Sequence, residues 1–245
     1  MIRQAWARLV HKQFLFLYPL ALGVLDAAAF FAVYASLHGP LNWGEFTRAN
    51  FAAGTFLRGH LDELVHPGLA MIVALASGAL LCLLTAAIRA PFYRAIAGPS
   101  YPFVPRTATE LLRLTLFYLV SYPVIRILPS LFDENAGVWT AAGTIALLVV
   151  SLLLVYTDYI IVLEDMPAAK AVSRGIRLLR RGLLPTVLFY LAFNLLYSPI
   201  WNFFSSHYEG NFRMLFPIAQ LLVDALFVLV GDIVFIFLFD HIRRS

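Results

Sequence analysis

Residues 68–90 read GLAMIVALASGALLCLLTAAIRA, and the first charge in that stretch is Arg89. A helix rises about 1.5 Å per residue and the hydrocarbon core of a bilayer is about 30 Å thick, so a run of this length crosses a membrane. Five more runs share its character, and the six expected spans are 14–36, 68–90, 111–131, 138–163, 183–204 and 216–239. Across the 245 residues, 61% are hydrophobic and only 13% are charged, against about 25% charged in a typical soluble domain. That balance excludes a soluble single domain. The apolar runs lack the strict alternation over about 10 residues that marks an outer-membrane barrel. The expected fold class is therefore all-α, a polytopic transmembrane helical bundle forming a single integral membrane domain over 1–245. The run at 14–36 is too long for a signal-peptide core and lacks a small-residue cleavage site, so it is expected to stay in the membrane.

An even number of spans puts both ends of the chain on one side. Fourteen of the 18 basic residues fall at the two ends or in the second and fourth connections, with Arg48, Arg58 and Arg213 opposite and Arg126 inside a span. The positive-inside rule then makes both termini cytoplasmic, in a bacterial plasma (inner) membrane. The formal net charge of +4 follows from this orientation, and no nucleic-acid partner is needed to explain it. The first outer connection, 38–66, carries Phe46, Ala49, Ala53, Leu57, Leu61 and Leu64 at helical spacing, consistent with a surface helix or with an irregular loop holding apolar anchors. Pro91 is expected to stop the second span, and Thr107 with Glu110 to form a capping box for the third. Pro123 and Pro199 mark expected kinks.

The segment 166–182 reads as an amphipathic helix between spans four and five. Asp165 suits its cap, Pro167 its first turn and Gly182 its end. Lys170, Arg174, Arg177 and Arg181 stack in one stripe with Arg180 beside them, while Ala168, Ala171, Val172, Gly175, Ile176 and Leu179 take the other side. Such a helix presents its basic residues to anionic cytoplasmic lipid or to an acidic partner, each basic residue adding about 1 kcal/mol near the surface.

The stretch Tyr156-Thr-Asp-Tyr-Ile-Ile-Val-Leu-Glu-Asp165, followed by Ala168, Ala171, Ser173, Arg174 and Leu178, resembles a pattern in uncharacterised bacterial six-helix membrane families. These are similar to the membrane domain fused to some glycerophosphodiester phosphodiesterases. The resemblance covers about 30 residues and the general helix layout. It implies a membrane module that accompanies lipid-related enzymes, with no catalytic residue carried over.

Ionisable residues inside spans are costly and mark sites by default. Asp26, Arg126, Asp158, Asp224 and Asp232 qualify. Arg126 and Asp224 lie at similar depth, about five and eight residues from the outer ends of their spans, so an ion pair between them is expected, with Gln220 completing a polar patch. Asn194 is a candidate partner for Asp26 or Asp232. Asp158, Glu164 and Asp165 are expected to cap helices or pair with the neighbouring arginines. All six histidines fall outside the apolar runs, which disfavours haem held by paired histidines at membrane depth. The single cysteine, Cys82, allows neither a disulfide nor a thiolate cluster. There is no HExxH, phosphate loop or GxSxG, and no cofactor is assigned. His60, Asp62, Glu63 and His66 have metal-ligand chemistry, but an ordinary solvated loop shows the same spacing, and no metal is assigned.

The function expected from these features is a non-enzymatic accessory, assembly or scaffolding subunit of a larger membrane complex, contacting lipids and other membrane subunits or further copies of itself. The alternative is a small transporter or lipid-handling permease using Asp26, Arg126, Asp224 and Asp232.

Overall fold

A computed structural model describes residues 13–39, 68–98, 108–127, 138–206 and 215–244. Among these residues there are helices and no strands. A 3-10 turn, Gln13–Phe16, leads into α1 (Leu17–His38), followed by α2 (Leu69–Ala97), α3 (Ala108–Ile127), α4 (Val138–Leu154), α5 (Thr157–Leu163), α6 (Ala168–Arg181), α7 (Leu183–Ser206) and α8 (Leu215–Arg244). Six stretches are long and apolar enough to cross a membrane: Phe14–His38, Leu69–Ala97, Ala108–Ile125, Ile145–Leu163, Leu183–Ile200 and Ile218–Arg244. The chain is thus an all-α polytopic bundle, and α6 is the short amphipathic helix between the fourth and fifth spans. The possible surface helix within 38–66 and the histidines and acids at 60–66 lie outside the described residues.

Three local expectations are corrected. Pro91 does not stop the second span, because α2 continues through it to Ala97. The proline removes one backbone donor. Phe92, Tyr93, Arg94, Ala95 and Ile96 beyond it are all buried, and that packing holds the two added turns in helical form. The fourth span is interrupted, since α4 and α5 meet at a turn over Val155 and Tyr156 with neither proline nor glycine in it. The Tyr156 side chain is fully buried there and its hydroxyl lies 2.6 Å from the Thr186 hydroxyl on α7, so the break coincides with a tertiary anchor. Asp165 does not cap α6. Its φ is +52°, which swings the carboxylate toward α3, and the N-cap position is taken by Pro167 in extended conformation without a side-chain bond.

The helices continue through Pro123 and Pro199. Thr107 lies outside the described residues, while Glu110 turns its carboxylate to Arg94.

α2 lies at the centre, against α1, α3, α5 and α8. Its apolar contacts concentrate toward the end that carries the basic residues, where Phe92, Leu114, Ile160, Leu178 and Phe239 share one core. The apolar side of α6 is seated on that core, with Ala171, Gly175, Leu178 and Leu179 buried. Gly175 faces α5 there, where a Cβ would lie 3.4 Å from the Thr157 hydroxyl, in van der Waals contact.

Gly182 ends α6 as expected, its N–H donating to the Leu178 carbonyl at 3.0 Å. It also lets α8 pass close by. A Cβ at 182 would sit 2.1 Å from Ile242 Cδ1 and 2.6 Å from Cγ1, and Ile242 is itself buried. Gly182→Ala is therefore expected to cost about 1–3 kcal/mol by overpacking. Unfolding in detergent checks this, and Ile242→Val in the same chain should recover part of the loss.

Candidate functional site: a tyrosine-lined charge cluster

Four helices converge on two carboxylates near the basic end. Arg89, eight residues before the end of α2, donates from Nη1 to Asp158 Oδ2 on α5 at 3.2 Å and to the Tyr93 hydroxyl at 2.7 Å. Tyr93 follows Arg89 by one helical turn, so both leave the same face of α2. Its hydroxyl donates to the same Asp158 oxygen at 2.7 Å, and Tyr118 of α3 donates to it at 3.3 Å. The other oxygen of Asp158 accepts from the Tyr159 N–H at 3.0 Å. Arg89 also lies over the Tyr93 and Tyr118 rings, 5.9 and 5.7 Å from their centroids, so the aromatic faces supply further negative potential to the guanidinium.

Tyr159 carries the cluster to α8. Its ring meets Tyr93 edge-on at 4.6 Å, and its hydroxyl donates to Asp232 Oδ1 at 2.7 Å. Both of these carboxylate residues are only 8% exposed. Two buried polar atoms here have no hydrogen-bond partner, Asp232 Oδ2 and Arg89 Nε. Asp158 accepts from four donors, three of them on Oδ2, and is the hub of the cluster. Asp232 retains one open oxygen.

Other buried charge is spent in separate places. Arg94 of α2 and Glu110 of α3 form an ion pair with side chains 2% and 1% exposed. Asp26 accepts from the Tyr122 hydroxyl at 2.5 Å, linking α1 to α3. Asp224 accepts from the Tyr197 hydroxyl at 2.8 Å, linking α8 to α7, with Gln220 one turn before it. Asn194 is exposed and donates its side-chain amide back to the Tyr190 carbonyl at 2.8 Å, so it partners neither Asp26 nor Asp232. The Arg126 side chain lies outside the described residues, and the expected Arg126–Asp224 pair with it. Asp26, Asp224 and Asp232 each take the hydroxyl of a different tyrosine.

The acidic residues beside α6 pair with arginines, and only one of those arginines belongs to α6. Glu164 meets Arg174 at 3.4 Å and Arg243 of α8 at 3.9 Å. Asp165 meets Arg113 of α3 at 3.0 Å. Asp158, expected beside these, reaches back to Arg89 instead. Lys170, Arg177, Arg180 and Arg181 are exposed. No group of three or more metal-ligating side chains occurs among the described residues.

Reading the sequence alone misses Arg89, Tyr93, Tyr118 and Tyr159. Arg89 counts there as one more topology-setting charge, and tyrosines inside apolar runs pass as packing residues. The available signal is the spacing of four between Arg89 and Tyr93 within a span, which puts a cation and a hydroxyl on one face. No family model, curated protein or solved structure matches this chain.

Proposed function

We propose that this protein is a non-enzymatic accessory or scaffolding subunit of a bacterial inner-membrane complex, with both termini in the cytoplasm. The observation that supports the reading is the way intramembrane carboxylates are used. Asp26, Asp224 and Asp232 each accept from a tyrosine of another helix, so each of these polar groups ties two helices together. A carrier that moved an ion or solute along Asp26, Asp224 and Asp232 would need them to face a shared cavity. A tie of this kind is worth about 0.6 kcal/mol on average in a membrane protein, enough in sum to fix helix order. The outward side of α7 supplies lateral apolar surface, with Leu188, Leu191 and Leu195 exposed.

A second reading, a small transporter or lipid-handling permease, is favoured by one observation: Asp232 Oδ2 is buried with no partner. One experiment separates the two. Purification of the tagged protein from its native membrane in mild detergent, followed by mass spectrometry, is expected to recover a stoichiometric set of membrane subunits. Recovery of the chain alone, or as copies of itself carrying a specific small molecule, overturns the subunit reading and turns attention to Asp232.

A further inference from the structure

At the junction of α6 and α7 a groove of about 440 Å³ is lined by Arg180, Arg181, Leu183, Leu184, Pro185 and Val187. Two of these six residues are arginines and none is acidic. Four other arginines at this end are paired within the fold: Arg113 with Asp165, Arg174 with Glu164, and Arg243 and Arg244 with Asp240. Among the described residues, no carboxylate lies within ion-pair distance of Arg180 or Arg181, nor of Lys170 or Arg177 further back on α6. The pair is therefore a local excess of positive charge with no internal counter-ion.

The apolar side of the groove is continuous with the span. α7 begins at Leu183, so the groove marks the depth where a spanning helix leaves the headgroup region. From it, Leu184, Leu188, Leu191 and Leu195 follow at intervals of four, three and four, which stacks them along one face of α7. They are 70%, 58%, 42% and 73% exposed, a strip about 16 Å long at 1.5 Å per residue. A planar guanidinium fork binds phosphate oxygens in pairs, and an apolar strip below it takes a hydrocarbon chain.

We infer that the Arg180–Arg181 groove is a binding site for one anionic phospholipid, its phosphate held by the two arginines and one acyl chain laid along the leucine strip of α7. An acidic segment of a partner protein would satisfy the arginines but has no chemistry for the strip. The site does not rest on the subunit reading, but it shares Leu188, Leu191 and Leu195 with the lateral surface described there, so lipid and a partner subunit would compete for that strip.

The test uses the purified full-length chain, stripped of lipid in detergent and titrated with phosphatidylglycerol, with phosphatidylcholine, and with glycerol phosphate that has no chains. Binding is read by native mass spectrometry and by the rise in thermal stability. Phosphatidylglycerol is expected to bind and stabilise, and the other two to do neither at the same concentration. Arg180→Gln and Arg181→Gln should each weaken it about fivefold, and the double substitution about 25-fold, on the scale of one basic residue held at an anionic surface. Lys170→Gln with Arg177→Gln, on the same helix but outside the groove, should weaken it by less than either single substitution within the groove. Equal binding of phosphatidylcholine, an equal loss from the Lys170/Arg177 variant, or displacement of the lipid by a poly-glutamate peptide would each overturn the proposal. Strong binding of glycerol phosphate alone would overturn it as well, by removing the acyl chain from the site.

Discussion

Replacing Asp158 with alanine is expected to cost about 3–5 kcal/mol and to give little folded protein, one of the two largest losses in this molecule. The substitution removes four accepted hydrogen bonds at once and leaves the Arg89 guanidinium, which has a side chain only 28% exposed, without its carboxylate. The hydroxyls are a different matter. Tyr118→Phe deletes one 3.3 Å bond and should cost about 0.6 kcal/mol, the average for such bonds between membrane helices. The contrast tests whether Asp158 is a hub or one contact among many. Unfolding each variant by titration with a denaturing detergent measures the difference. Exchanging both charges for apolar residues, Arg89→Met with Asp158→Leu, should recover much of the loss, because a buried pair removed whole leaves no stranded charge. An Asp158→Ala cost within 1 kcal/mol of Tyr118→Phe would remove Asp158 from the centre of the cluster.

Glu110→Ala should cause a loss of similar size, about 3–5 kcal/mol. Its carboxylate and the Arg94 guanidinium are more deeply buried than any other ion pair among the described residues. The pair joins the end of α2, beyond Pro91, to the start of α3, so its removal acts on a stretch whose helical form already depends on packing. The local signature is therefore specific. Amide hydrogen exchange should accelerate over Phe92–Ala97 before it does so in α8, whereas a general loss of stability would accelerate both. Arg94→Met with Glu110→Leu should bring the protection back.

Span number was legible because hydropathy summed over about 20 residues is a large signal that no single side chain overturns. The amphipathic stripe of α6 was legible for the same reason, since the 3.6-residue period sorts Lys170, Arg174, Arg177 and Arg181 from Ala171 and Gly175 without any knowledge of the neighbours. Partners were not legible. Asp158 reads naturally against the arginines that follow it, but its cation lies 69 residues earlier, and only the packing of α5 on α2 brings the two together. Asp26 and Asp224 invite a search for opposite charge, yet each meets a phenol hydroxyl, which in an apolar run looks like filling. Pro91 failed as a stop signal because a local rule yielded to five buried residues beyond it.

Only 6% of the most apolar stretch of α7 is buried, against 44% for the fourth and sixth spans. Its seam with α8 is a row of rings, Phe189 edge-on to Phe235 at 4.9 Å and Phe193 against Phe227 at 5.6 Å, with Gly231 leaving the notch that Phe193 enters. Among the described residues the fifth span is thus the one held with the least burial, chiefly along a row of rings. A pulling force applied to α7 is expected to open that seam before the core around α2 gives way, which single-molecule extension would read as a smaller first step.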